Sequence, residues 1–171
     1  MSWESNSPLK FVYWKFAARA QAAMLMCHAA NIEYEWEEPP ENWKEEKGKY
    51  PFGQLPCLKH SGKMIPQSGT MTRYCANLSS LMPDNIEHQL DADMLIEFSN
   101  DIYSLFAKAK YAGDELHQQV AWQRVEKTQL PEKLDYLVKF LDNKTFFSGD
   151  TIHAGDIAIF SILNLATVAG I

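Results

Sequence analysis

The sequence predicts an α+β protein, with a small mixed-sheet unit first and an all-helical unit after it. Three observations point there. Short β-branched and aromatic runs alternate with helix-like stretches over the first 80 or so residues. Beyond residue 85, apolar side chains recur at helical spacing. Between the two regimes, Leu81-Met-Pro-Asp84 reads as a linker, which sets the expected units at 1–81 and 85–171.

The elements follow in order. Leu9–Lys15 is short, aromatic and β-branched, and reads as a strand. Ala17–Ala30 is alanine-rich and almost uncharged apart from Arg19, the pattern of a helix buried on most sides. Glu33–Glu38 reads as a second strand closed by Pro39-Pro40. Asn42–Lys49 is charged and has room only for a short helix or loop. Cys57–His60 and Lys63–Ile65 flank Ser61-Gly62 as a hairpin. Ser68–Leu78 fits a helix with Ser68 as its N-cap. The order β-α-β, loop, β-β-α is the thioredoxin-like pattern.

In the second half, Met94, Leu95, Phe98, Ile102, Leu105 and Phe106 mark one helix. Leu134, Leu137, Val138 and Leu141 mark another after Pro131. Asp150–Leu165 ends apolar on every face, as a buried central helix would. It is followed by Ala169-Gly170-Ile171, so either Gly170 caps that helix or further chain has been lost.

Composition narrows the function classes. The chain has 171 residues, 46% hydrophobic and 22% charged, enough to bury a core as one unit or two small ones. A formal charge of −6 with no Lys/Arg-rich run makes nucleic acid and anionic membranes poor partners. Met1–Pro8 lacks the pattern of a signal peptide, and the apolar run around Ile157–Leu165 is too short to span a bilayer. Cys27, Cys57 and Cys75 are an odd count without metal-like spacing, which suits reduced thiols in the cytoplasm. The five histidines are scattered, so no metal site is expected.

Four segments carry a resemblance to a known family. They are Phe11-Val-Tyr-Trp-Lys-Phe-Ala-Ala-Arg-Ala-Gln21, Pro51-Phe-Gly-Gln-Leu-Pro56, Gln67-Ser68 with Arg73-Tyr74, and Gly149-Asp-Thr-Ile-His-Ala-Gly-Asp156. In order and at comparable spacing, they resemble the cytosolic glutathione S-transferases of the tyrosine type, sigma- and pi-like. The resemblance implies a thioredoxin-like glutathione-binding domain followed by a helical domain lacking its last helices. It further implies a transferase with glutathione as co-substrate, a hydrophobic electrophile as second substrate, a role in detoxification, and a homodimer.

The same resemblance implies the site. Tyr13 would be catalytic. A free thiol titrates near about 8.5, and a phenol donating a hydrogen bond to sulfur favours the thiolate, which is the nucleophile. Taken alone, Tyr13 is a strand tyrosine that packs. Arg19, Trp43, Lys47, Gln54, Leu55, Pro56, Gln67, Ser68 and Asp101 would complete the glutathione site. Pro56 would follow a cis bond that turns the Leu55 backbone outward. Gln67 and Ser68 would take the γ-glutamyl carboxylate, where helix capping is the plainer role. Trp43 and Lys47 would hold the glycyl carboxylate, with Lys44 and Lys49 competing for that part. Asp101 would reach the γ-glutamyl amine across a dimer interface, or else belong to a solvated face. Trp14, Phe16, Tyr103 and Tyr111 would line the electrophile pocket, where packing is the alternative for each. Phe52 sits where some classes place an aromatic that plugs into the partner.

The chain departs from the family at several points. It has Ala17-Ala18-Arg19-Ala20-Gln21 where Arg-Gly-Arg-Ala-Glu is common, so Arg19 survives but a Gly and a Glu do not. His153 stands at the N-cap of the last helix, where Ser or Thr is preferred, with Asp156 keeping half of a capping box. A less stable domain is therefore expected, and the absence of the family's C-terminal helix, which often covers the electrophile pocket, implies an open pocket. Three rival readings follow. One is a non-catalytic binding or structural relative. A second is glutathione-dependent prostaglandin isomerisation. The third, thiol oxidoreductase chemistry, fails because Lys15-Phe-Ala-Ala carries no cysteine and Cys27 lies inside the helix.

Overall fold

A computed structural model describes residues 7–16 and 18–169. The expected helix start at Ala17, the reading of Met1–Asn6 and the cap at Gly170 lie outside those residues. The chain divides into two compact units between Met82 and Pro83.

The first unit is built on a four-stranded sheet in the order β2-β1-β3-β4. Its central strand β1 (Leu9–Val12) runs parallel to β2 (Tyr34–Glu37), pairing Phe11 with Trp36. On its other side β1 runs antiparallel to β3 (Cys57–His60), which pairs with β4 (Lys63–Pro66). Ser61 and Gly62 join β3 to β4 with φ of 47° and 74°. That left-handed pair is what a two-residue hairpin needs to match strand twist. Phe11, Val12 and Leu58 are fully buried, so the middle of the sheet is core. Helix α1 (Gln21–Ala29) packs on α3 (Ser68–Leu78), and Met26, Cys27, Met71 and Cys75 fill the space between sheet and helices. The short α2 (Trp43–Glu46) interrupts the loop between β2 and β3.

Three local expectations are corrected. The first strand stops at Val12 instead of Lys15, although the Tyr13 amide still donates to the Glu37 carbonyl at 3.1 Å. Beyond it the chain turns sharply, with the Phe16 amide donating to the Trp14 carbonyl at 2.6 Å. The regular helix begins only at Gln21, after a 3₁₀ turn over Ala18–Ala20 in which Ala18 has φ 30°. Ser68 is the first helical residue of α3 and not its N-cap. Gln67 takes the cap, because its carbonyl accepts the first helical bond, from the Met71 amide at 3.0 Å.

The second unit is helical, as the periodicity predicts. It comprises α4 (Ile86–Lys110), α5 (Glu115–Arg124), α6 (Leu130–Leu141) and α7 (Ala154–Ala169), with a π-helical turn over Val125–Gln129 between α5 and α6. Asn85 caps α4 by accepting from the Glu87 and His88 amides. Pro131 sits in the first turn of α6, where a missing N–H costs nothing. Leu95, Ile102, Phe106, Leu137, Ile159 and Ile162 form the centre of the core. Helix α7 is less enclosed than its composition predicts. Ala154, Ile157, Ala158, Ile159, Ser161, Ile162 and Ala166 are buried, whereas Phe160, on the opposite side, is 59% exposed. Helical spacing turns only one side of the run toward α4.

Candidate functional site

A cleft of ≈ 460 Å³ opens in the first unit. It is lined by Arg19, Trp43, Gln54, Leu55, Pro56, Gln67 and Ser68, together with Trp14 and Gly53. These residues come from four separate places in the chain, and strand order explains the convergence. The chain leaves β1 at Tyr13, enters β3 just after Pro56, and leaves β4 at Pro66. Since β1 and β4 both flank β3, and β3 runs antiparallel to each, those three points gather at one end of the sheet.

The backbone there is specialised. Phe52 and Gly53 both have positive φ (59° and 58°), and the Leu55–Pro56 peptide is cis. Gln67, between β4 and α3, has φ 70° and ψ 116°. A non-glycine residue in such a conformation costs on the order of 1–3 kcal/mol and clusters at functional sites. The Gln67 side-chain Nε2 donates to Gln54 Oε1 at 3.2 Å, linking the two walls. Ser68 opens an eleven-residue helix, so first-turn N–H groups lacking helical partners lie beside its hydroxyl. This is a site that suits a carboxylate.

Tyr13 is 3% exposed and is not among the lining residues. Its ring lies 5.6 Å from that of Trp14, its lining neighbour, and 5.1 Å from that of Phe16. Trp14 in turn meets Trp43 edge-on at 6.1 Å, and Trp43 meets Tyr50 at 5.1 Å. Trp14 and Phe16 are exposed at the end of β1. Lys47 is exposed in a 3₁₀ turn, with its stem about 4 Å from the place where a side chain on Gly53 would begin. Lys49 is held by Glu46 and Lys15 by Glu38, while Lys47 has no ion-pair partner among the described residues.

Asp101, Tyr103 and Tyr111 stand on the helical unit. Asp101 lies 3.9 Å from Lys133 and is exposed. Tyr103 packs against the helical core, and Tyr111 caps α4 with 81% of its surface exposed. Sequence reasoning passes over Gly53. Its place between Phe52 and Gln54, where the backbone turns left-handed, is the available signal.

The unit's thiols supply no nucleophile to this cleft. Cys27, Cys57 and Cys75 are fully buried and reduced. A hydrogen bond with Cys27, reinforced by burial, pushes the Cys75 thiol far up, and burial pushes Cys57 up.

Comparison with known proteins matches this architecture. Residues 100–169 fit the family described as the C-terminal domain of glutathione S-transferases. Glutathione S-transferase 4 of Caenorhabditis elegans is 30% identical over 161 residues, 88% of this chain and 76% of that protein. The chain belongs to the glutathione S-transferase family. The hematopoietic prostaglandin D synthase of Gallus gallus is 29% identical to this glutathione transferase over 148 residues, 86% of this chain and 73% of that one. Among solved structures, prostaglandin synthase D of Nilaparvata lugens superposes with a TM-score of 0.85 at 24% identity, covering 96% of this chain and 83% of that one. At that identity the superposition speaks for fold alone. Among the described residues, no helix of the transferase is long and apolar enough to cross a membrane.

Proposed function

We propose that this transferase is of the tyrosine type, sigma- or pi-like, and that Tyr13 supplies the hydrogen bond that stabilises the glutathione thiolate. The observation that carries this reading is the cleft itself. It gathers Arg19, Trp43, Gln54, Leu55, Pro56, Gln67 and Ser68, with Tyr13 one residue from Trp14 on its wall.

In this reading the γ-glutamyl carboxylate sits on Ser68 and the first turn of α3, with Gln67 and Gln54 beside it. Trp43 and Lys47 take the glycyl carboxylate, and Arg19 adds a fixed positive charge at the cleft. The thiol loses its proton to solvent, and the Tyr13 hydroxyl stays protonated and donates to the thiolate. The thiolate electron pair forms a carbon–sulfur bond with the electrophile. The electron pair of the broken bond departs with the leaving group, or passes to the acceptor carbonyl of an unsaturated substrate. Trp14 and Phe16, stacked with ring centroids 6.3 Å apart, offer aromatic surface for a hydrophobic electrophile.

A homodimer is part of the proposal. Ile86, Leu90 and Met94 recur every four residues along α4 and are all exposed, an apolar stripe that a partner would cover. Phe52 is exposed on its left-handed turn, presented as a plug. Asp101 acts across that interface, and a cytoplasmic setting suits the reduced thiols.

The test is calorimetric glutathione binding and conjugation of a chlorodinitrobenzene, with Tyr13→Phe alongside. The variant is expected to bind glutathione normally and to lose about 10²-fold or more in kcat. Equal turnover would remove Tyr13 from the mechanism. Binding without turnover in the wild type would leave a ligand-carrying relative. A second activity, prostaglandin isomerisation, is favoured by the Gallus gallus relative, and prostaglandin D formation in the presence of glutathione would test it.

A further inference from the structure

Two helices of the first unit bring together a pair of thiols that the proposed mechanism does not use. Helices α1 and α3 pack on each other, and their buried faces include small residues, Ala23 on α1 with Gly69 and Ala76 on α3. Both helices start from the end of the sheet where the cleft opens. Cys27 is the seventh residue of α1 and Cys75 the eighth of α3, so the two stand level. At a rise of 1.5 Å per residue, each lies about 10 Å from the start of its helix. Both are fully buried, and the Cys75 thiol donates a hydrogen bond to the Cys27 sulfur. Thiols in contact on facing helices are within reach of a disulfide.

The pair is unequal. The hydrogen bond from Cys75 holds the Cys27 thiol below its ordinary value, against the opposing effect of burial. The same bond, with burial, pushes Cys75 up. Cys27 is therefore the readier nucleophile and Cys75 the thiol that resolves, the arrangement of redox-sensing cysteines. Cys27 also stands in the last turn of a nine-residue helix, where fraying opens the interior most easily. Cys57 belongs elsewhere, packed with Val12 and Tyr50.

We propose that Cys27 and Cys75 form a redox site, which a hydroperoxide oxidises to a disulfide tying α1 to α3 and which glutathione reduces again. The Cys27 thiolate attacks one peroxide oxygen and the O–O bond breaks. The departing oxygen keeps the electron pair and takes a proton, leaving a sulfenic acid on Cys27. Cys75 then gives up its proton and attacks the Cys27 sulfur. The S–S bond forms, the S–O bond breaks, and the hydroxide that leaves is protonated to water. The two sulfurs lose the two electrons that the peroxide gains. Two molecules of glutathione restore both thiols and depart as glutathione disulfide. Bond formation draws the sulfurs from van der Waals contact to about 2.05 Å, so the helices must shift. Arg19 lies in the turn that leads into α1 and Ser68 opens α3, so the cleft walls shift with them. That last consequence rests on the glutathione reading of the cleft, and the crosslink itself does not.

The experiment treats the full chain with hydrogen peroxide, removes it, and counts thiols after denaturation beside a nonreducing peptide map. The three thiols are expected to fall to one, with Cys27 linked to Cys75, and incubation with glutathione should restore three. Both directions should take minutes to hours, since the sulfurs are buried. The crosslinked form should melt about 5–15 °C higher. It should bind S-hexylglutathione, which has no thiol to reduce the bond, about threefold or more weakly, the effect of one displaced hydrogen bond. Neither shift should appear in peroxide-treated Cys75→Ala. Should that variant misfold, Cys57→Ala, which keeps the pair, must still give the crosslink and both shifts. A count that stays at three, or a link through Cys57 or between chains, overturns the proposal. So does a crosslink with unchanged melting or with no loss of S-hexylglutathione affinity. Shifts that persist in Cys75→Ala would place the oxidation on other residues, such as Met26 and Met71, and also overturn it. Failure of the untreated protein to bind S-hexylglutathione would count against the glutathione site, and the thiol count and melting would still decide the crosslink.

Discussion

The Gln67 side-chain amide donates to Gln54 Oε1 at 3.2 Å, so two residues thirteen apart in sequence brace the cleft. Gln67 does so from a backbone with φ 70°, which favours glycine. Gln67→Gly should therefore melt no lower than the wild type, because relieved strain offsets the lost hydrogen bond. Its KM for glutathione should rise by about tenfold, the effect of one or two polar contacts. A clearly lower Tm with unchanged KM would show that Gln67 serves stability and not binding.

At Gly155, α7 runs tight against α4. A methyl group there would lie 2.7 Å from Leu95 Cδ1 and 3.1 Å from the Ala92 Cα, the latter being backbone. Gly155→Ala in an ordinary helix would be stabilising, by roughly 0.5–1 kcal/mol. Here the clash wins, and a loss of about 1–3 kcal/mol is expected in urea unfolding. A rise in stability would mean that the helices separate freely.

Asp156 has two tasks. Its Oδ2 accepts the His153 amide and its Oδ1 the Phe147 amide, each at 2.9 Å, so one carboxylate caps α7 and pins the preceding loop. Asp156→Ala should cost about 2–4 kcal/mol, as two charge-assisted hydrogen bonds are lost. His153→Ser adds the missing half of the capping box and should raise stability by about 0.5–1 kcal/mol. An unchanged Tm in His153→Ser would show that the histidine's own contacts, including its ring 6.2 Å from that of His88, already compensate.

Asp114 should titrate low. The His117 amide and then its ring hold the carboxylate below the usual aspartate range. A lowered folded-state value means that the cap contributes fully above about pH 4 and is lost as pH falls through the lowered value. Carbon NMR of the Asp114 carboxyl should show a midpoint below about 3.9, moving upward in His117→Ala. A midpoint at the usual value would remove the charged cap.

Much of the first unit was legible because its signals are local. Ser61-Gly62 between two short β runs is a hairpin whatever surrounds it, and Ser68–Leu78 emerges with the bounds its pattern predicts. Boundaries failed where a longer-range contact decides them. Val12 ends β1 because the chain turns at Trp14, and Gln67 replaces Ser68 as cap because of a left-handed backbone that composition does not announce. The contact of Cys27 with Cys75 was not legible at all, since an odd count of thiols does not say which two meet.

The sequence by itself determined the fold class, the order of elements in the first unit and the family, because periodicity, turn chemistry and short motifs are written in neighbouring residues, whereas α5 went unread. Tertiary structure decided which residues meet. Gln54 and Gln67 touch because antiparallel pairing brings the start of β3 and the end of β4 to one end of the sheet. Asp156 reaches both Phe147 and His153 because the loop folds back onto the α7 N-terminus. Val120 stays exposed because no other element of the described helical unit covers that face of α5. Such pairings depend on loop closure and close packing across the chain, which no local pattern encodes.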